Sequence, residues 1–388
     1  MRLTIFLLAL AAFASTASMR VADALLPRLA HDFGIGIARA SAVITAFAVA
    51  YGVMQILFGP LGDRYGKLRV IAVASFAASL ASLGCFLANG LDALVAFRLL
   101  AGAFCGAIIP LSLAWIGDVV PYQERQPVLA RFLLGQVFGI ASGMVAGGLA
   151  AEHGDWRWPF AAIALWLGAS AALLLRASFA DPAHAARADT GGGASFYRNL
   201  LAVARVPWAR VVVVTVFAEG CVVFGALAFI PTHLHFVRGL DLASAALTVV
   251  GFSAGGLFFA IFAPRVVRRL GETGLATAGA IFLAVGLIAI ALASSRALAG
   301  VSCLVAGLGF YMLHTTLQTN ATQMAPERRG AAMALFASCL FLGQSAGIAL
   351  MATLVERLGT TRILIAAGIA VLPVGIAFAY LRSAHRPA

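Results

Sequence analysis

Gly59-Pro60-Leu61-Gly62-Asp63-Arg64-Tyr65-Gly66-Lys67-Leu68-Arg69 sits between two long apolar runs. It carries one acid, three cations and three glycines in a chain that is 62% hydrophobic and only 11% charged. A short charged turn joining two membrane helices explains such a cluster, and the glycines explain a tight bend. The rest of the chain repeats this grammar. Mean hydropathy is +0.99, and apolar runs of about 20 residues recur, each long enough for the ~30 Å hydrocarbon core at ~1.5 Å per residue. Lipid offers no partner to an exposed backbone, so these runs are helices. They are apolar on every face, which excludes the alternating strands of a β-barrel.

Twelve spans are laid out at roughly residues 3–26, 41–61, 68–88, 91–117, 127–150, 158–178, 209–232, 243–264, 274–294, 297–320, 331–355 and 361–382. Arg2, the apolar run to Phe13 and the small residues after it mimic a signal peptide, but the following residues complete a first span, and cleavage is not expected. The longest polar break runs from Ala180 to Trp208 and contains Gly191-Gly192-Gly193. It divides the chain into residues 1–179, a linker at 180–208 and residues 209–388. Phe196 to Trp208 mixes basic and apolar residues and reads as a short interfacial helix. Most of the 27 basic residues fall in segments on the side of the chain termini, so both termini are expected in the cytoplasm of a bacterial inner-membrane protein. The net charge of +12 comes from these short loops, and no basic patch suits nucleic acid. Cys85, Cys105, Cys221, Cys303 and Cys339 lie in apolar runs without metal spacing.

The halves repeat. Gly66 and Gly271, Gly102 and Gly307, and Pro121 and Pro326 share one offset of 205 residues at equivalent places. The expected fold is an all-α membrane protein of twelve transmembrane helices, in two pseudo-symmetric six-helix bundles around a central cavity.

These residues resemble the major facilitator superfamily, and within it the twelve-helix drug:proton antiporter branch. Gly59–Arg69 is similar to the loop signature G-x-L-x-D-R-x-G-[RK]-[RK], with Leu68 at the second basic place and Arg69 after it. Arg98-Leu99-Leu100-Ala101-Gly102 is similar to R-x-x-x-G. Gly139, Gly143, Met144, Gly147 and Gly148 resemble the antiporter signature G-x-x-x-G-P-x-x-G-G, with Met144 in the proline place and Ala130 in that of an earlier glycine. The resemblance implies that spans 1, 4, 7 and 10 line the cavity, and that spans 5 and 8, and 2 and 11, meet where the halves rock.

Charges inside spans are expensive, at about 2.5–3.5 kcal/mol each on insertion scales, so they need a cavity or a partner. Four stand out as candidates for proton coupling, with Asp23 or Glu219 loading the proton: Arg20 and Asp23 on span 1, Arg98 on span 4 and Glu219 on span 7. Arg20 and Asp23 share a helix face at i and i+3. Arg98 lies at a similar depth, about 10 Å from the outer surface, so the three can cluster. A neutralised structural pair is the alternative. Glu219 has no charged neighbour within its span and lies about 14 Å from the cytoplasmic side, as does His314 on span 10. A buried carboxylate is costly to ionise, which makes Glu219 a candidate proton carrier. A glutamate satisfied by neighbouring Thr or Gln is the bland reading. Tyr311, His314 and Gln318 are spaced to line one face toward substrate; Gln55, Gln136 and Gln344 are lesser candidates.

Gly135, Gly139, Gly143 and Gly147 recur every fourth residue, followed by Gly148. They are expected either as helix packing or as a smooth surface between halves. At the cytoplasmic gate, Asp63 is expected to cap the start of span 11 near Gly330–Ala332. Arg64, Lys67 or Arg69 would reach Asp118 or Glu124, with Gly59 and Gly66 shaping the loop. No enzyme constellation, cofactor motif or metal spacing is present. The function expected is proton-coupled efflux of small organic molecules by a monomer, with substrate, protons and the bilayer as partners. Uptake by symport or uniport, and a non-transporting receptor or assembly factor, are the alternatives.

Overall fold

In the computed structural model, which describes residues 2–179 and 193–385, every regular element among the described residues is helical. Residues 180–192 lie outside it, so the linker's Arg187 and Gly191-Gly192 have no structural account, nor does Arg386. The helices are α1 (Arg2–Arg20), α2 (Leu26–Asp32), α3 (Ile37–Tyr65), α4 (Lys67–Leu87), α5 (Leu91–Val119), α6 (Tyr122–His153), α7 (Trp158–Phe179), α8 (Gly193–Arg205), α9 (Pro207–Phe236), α10 (Leu242–Leu292), α11 (Arg296–Gln323) and α12 (Pro326–Ala384). Ten of them are long and apolar enough to cross a membrane.

Two of the expected spans are interrupted, and a proline follows each break. The run at 3–26 is not one helix: α1 ends at Arg20, residues 21–25 form turns, and α2 follows. Likewise α9 passes through a π-helical turn at Gly220–Phe224 and breaks at residues 228–229. A proline ring clashes with the carbonyl four residues back and supplies no N–H. Pro27 disturbs the chain at Asp23, and Pro231 at Leu227. Pro110 does the same at Gly106, where α5 also loosens.

α10 and α12 span 51 and 59 residues. Each contains a single non-helical glycine, Gly271 (φ 63°) and Gly359 (φ 78°). Gly271 corresponds to Gly66 (φ 88°) between α3 and α4, and Gly34 (φ 61°) corresponds to Gly239 (φ 69°). The sequence repeat thus extends to backbone conformations that side-chain-bearing residues rarely adopt.

Packing repeats too. Gly135, Gly139 and Gly143 of α6 lie against the backbone of Ala9, Phe13 and Ala17 of α1, and Gly147 lies against Val21 just after it. In the second half, Gly343 and Gly347 of α12 lie against Phe217 and Cys221 of α9. Gly102 meets Phe47, and Gly307 meets Phe252. A Cβ at any of these sites would strike main chain, so the glycines set the helix spacing. This corrects the reading of the α6 glycines as a surface between halves. Gly139, Gly143 and Gly147 are packed within the first half, and Gly148 is the member of the set that reaches α10, at Leu242, Ala243 and Ala246.

The two halves touch from mid-span to one end of the molecule. Tyr51 of α3 lies 4.4 Å from Phe341 of α12, Gly52 faces Phe341 and Leu342, and Ser345 donates to the Thr45 carbonyl at 3.4 Å. At the end that carries the termini, α8 lies between them. Its Phe196 meets Gly59 at 3.4 Å, and its Asn199 accepts from Arg328 at 3.1 Å.

Candidate functional site

The interruption of α1 exposes Asp23 to the molecule's interior rather than to a helix flank. Arg20, the last residue of α1, holds Asp23 Oδ2 at 3.2 Å, and both side chains are almost fully buried. Asp23 Oδ1 and Arg20 Nε have no hydrogen-bond partner. Arg98 does not join them. Its Nε donates to the Val43 carbonyl at 3.1 Å and its Nη1 to the Ser18 carbonyl at 2.7 Å, with Phe47 4.2 Å below the guanidinium. The expected three-residue cluster is therefore a pair plus a neighbouring cation. Gly102 presses α5 onto Phe47 of α3, and that close approach brings Arg98 within reach of main chain.

Glu219 closes the first α-helical stretch of α9, directly before the π-helical turn. π-turns of this kind are frequent at functional sites. Its Oε2 shares a 2.8 Å hydrogen bond with His314 Nδ1 across to α11. Glu219 is fully buried, His314 is 15% exposed, and Glu219 Oε1 has no partner. The two residues that the sequence placed at equal depth do meet.

The two acid pairs belong to different halves, and aromatic rings connect them. The Arg20 guanidinium sits 4.6 Å from the Phe224 ring centroid, a cation–π distance. Phe224 packs edge-on against Phe310 at 5.2 Å, and Phe310 stacks on His314 at 5.0 Å. The path from Asp23 to Glu219 is thus Arg20, Phe224, Phe310 and His314. Sequence reasoning missed Phe224 and Phe310, because one phenylalanine among many in an apolar helix carries no signal.

The remaining expected contacts divide. Tyr311 lies one turn before His314 on α11, and its ring covers Gly256 on α10. Gln318 is exposed, Gln136 half-buried, and Gln55 and Gln344 buried. The Gln136 carbonyl accepts from the Thr16 hydroxyl at 3.0 Å. His233 was also missed; it is fully buried, with Nδ1 3.0 Å from the Thr360 hydroxyl.

In the Gly59–Arg69 loop, Lys67 Nζ lies 2.7 Å from Asp118 and 3.3 Å from Asp63. Lys67 thus reaches Asp118 as expected, but both lie in the first half, so this contact cannot itself join the halves. Asp63 is 54% exposed and pairs with Lys67, not with Gly330–Ala332. Lys67 holds Asp63 within its own half, and a Cβ at Gly330 would meet nothing within 4 Å. Arg64 lies over Tyr65 and Arg69 over Phe179. The second half has its own version of this joint, with charge reversed. Glu272, next to Gly271, accepts from Asn320 at 3.0 Å and from Arg382 at 2.7 Å. Its signal was available, since Glu272 follows Gly271 as Lys67 follows Gly66. Among the described residues, no three His, Cys, Asp or Glu side chains converge as metal ligands.

Comparison with known proteins agrees with this architecture. The chain is 31% identical over 153 residues to the multidrug export protein EmrB of Haemophilus influenzae, a match covering 39% of this chain and 30% of that protein. It is 27% identical to the puromycin resistance protein pur8 of Streptomyces alboniger, over 86% of this chain and 77% of that one. A crystal structure of a bacterial homologue of the human lysosomal transporter Spinster, described as inward-facing and unoccupied, superposes with a TM-score of 0.77 at 17% identity, over 100% of this chain and 99% of that one. The sequence profile of the Major Facilitator Superfamily matches residues 8–348, and the chain belongs to that superfamily: it is a multi-pass membrane transporter, not an enzyme.

Proposed function

We propose that this transporter exports small organic molecules in exchange for protons. The observation that carries the reading is the pair of buried acids at the interruptions of α1 and α9. Each belongs to one half, each has one oxygen without a partner, and Arg20 on Phe224 links them across the interface. Interrupted spans at corresponding positions of duplicated halves mark binding sites in transporters. The export names of EmrB and pur8 support the direction.

In this reading α10 and α12 each cross the bilayer twice, reversing at Gly271 and Gly359. At ~1.5 Å per residue, either helix is more than twice as long as the ~30 Å hydrocarbon core is thick. Twelve crossings then form two bundles, residues 1–179 and 209–388, that rock about a central cavity. Both termini lie in the cytoplasm of the bacterial inner membrane, the closed end faces outward, and the protein works as a monomer. Protonating Asp23 removes the charge that holds Arg20, and protonating Glu219 changes its bond to His314. Each event alters contacts near the interface and so biases the two states. Substrate and proton then compete through linkage.

The test is flux in proteoliposomes with an imposed pH gradient, with puromycin as the first probe and toxic compounds chosen by growth of a deletion strain as the next. Wild type should drive accumulation, and Asp23→Asn or Glu219→Gln should lose it by at least about tenfold. Full gradient-driven antiport in the double variant would exclude the reading.

A further inference from the structure

We propose that Glu152 and Glu356 are a matched pair of latches that hold the closed end of the transporter shut. Glu152 stands in the last turn of α6. Its Oε2 accepts a 2.7 Å hydrogen bond from the Leu242 N–H, at the first residue of α10. Glu356 stands on α12, just before the Gly359 break. Its Oε1 accepts a 3.1 Å hydrogen bond from the Ala38 N–H, in the first turn of α3. Each glutamate reaches from its own half to the other. The two lie 204 residues apart in the sequence, one residue off the 205-residue offset of the duplicated halves. The molecule makes one contact twice, once where α6 meets α10 and once where α12 meets α3.

The chemistry suits a latch. First-turn N–H groups have no partner within their own helix. A carboxylate placed there gains a charge-assisted bond and the favourable end of the helix dipole. The surroundings keep these amides free for it. In α10, the capping Asp241 takes the Ser244 amide at 2.6 Å and leaves that of Leu242 to Glu152. Before α3, a Cβ on Gly36 would collide with Glu356 Oε1, so glycine leaves the carboxylate its approach. Neither bond can survive separation of the halves at this end, and both form together when it closes. Their contributions to the closed:open ratio therefore multiply. The other end shows no such arrangement among the contacts described above; there Asp63 turns back to Lys67 of its own half. The latch depends neither on substrate nor on the coupling ion, so its failure would leave the proposed transport standing, and the reverse.

Double electron–electron resonance tests it. Spin labels go at His31 (86% exposed) and Val237 (45% exposed), which flank the closed end on opposite halves, in a background with the five cysteines replaced by alanine. Wild type should show mainly the short distance. Glu152→Ala and Glu356→Ala should each raise the long:short ratio about fivefold, and the double variant roughly twenty-five-fold, as independent contacts should. Glu152→Gln/Glu356→Gln, which keeps a neutral acceptor, should shift it less, and it carries the same test if the alanine pair does not fold. An unchanged distribution in the double variant would overturn the proposal, as would a double variant no more open than either single one.

Discussion

Arg98 is held by main chain and an aromatic face, with no carboxylate within bonding distance among the described residues. The guanidinium offers separate, fixed nitrogens to the two carbonyls and a flat face to Phe47, and a lysine ammonium has neither. Arg98→Lys should therefore keep the charge yet destabilise the protein by about 1–3 kcal/mol, seen as a lower melting temperature in detergent. Phe224 makes the reciprocal case for function. Phe224→Leu removes the ring under Arg20 while preserving bulk, and Phe224→Tyr preserves the ring. A cation–π contact of this sort is worth about 0.5–2 kcal/mol. Gradient-driven flux should fall about threefold to tenfold in Phe224→Leu and stay near wild type in Phe224→Tyr; equal loss in both would mean that the ring matters for packing alone. Asp23, Arg20, Glu219 and His314 were legible in the sequence because charge inside an apolar span is conspicuous. Glu152 and Glu356 were not, since they lie at helix ends where charge is ordinary and their partners are backbone amides that no side chain announces.

Helices in this molecule are spaced by glycine and in places broken by proline: Pro27, Pro110 and Pro231 follow breaks, whereas Pro60, Pro127, Pro264 and Pro373 sit inside continuous helix. The four-residue glycine repeat of α6 was plain, but its partner was not, because a stripe of small residues says how closely a helix approaches and not which helix approaches it. Gly143→Val, aimed at Ala17 of α1, should destabilise the first half by about 1–3 kcal/mol through overpacking. Gly148→Val, aimed at α10, should instead shift the balance toward the state open at the latched end; distance measurements on both variants check the contrast. The break in α1 precedes Pro27 as the break in α9 precedes Pro231, but Pro60, Pro127, Pro264 and Pro373 leave their helices continuous, so proline alone does not announce a break. At the start of α10, Asp241 accepts from the Ser244 amide. The backbone and side chain of Ser244 hold its carboxyl below the ordinary range. Its capping contribution is therefore present above the unfolded-state value near pH 4 and is lost as pH falls through the lower folded-state value. Asp241→Ala should destabilise by about 1 kcal/mol at neutral pH and make no difference in strong acid, as thermal melts across pH would show.

Over the whole molecule, duplication explains most of what the sequence allowed. The shared offset of Gly66 and Gly271 became a shared backbone conformation, and the glycine contacts of α1 with α6 recur between α9 and α12. What the sequence could not say is where the halves meet. The expected contact of Asp63 with Gly330–Ala332 is absent, and the bonds of Glu152 and Glu356 between the halves lie at the opposite end. The central claim is that one buried acid in each half exchanges protons with substrate. Proton release tests it most directly: purified protein in weak buffer with a pH indicator, on addition of a compound that resistance growth identifies as exported. Wild type should release protons on binding. The Asp23→Asn/Glu219→Gln double variant should bind the compound, by intrinsic fluorescence, and release none. Equal proton release from the double variant would contradict the account.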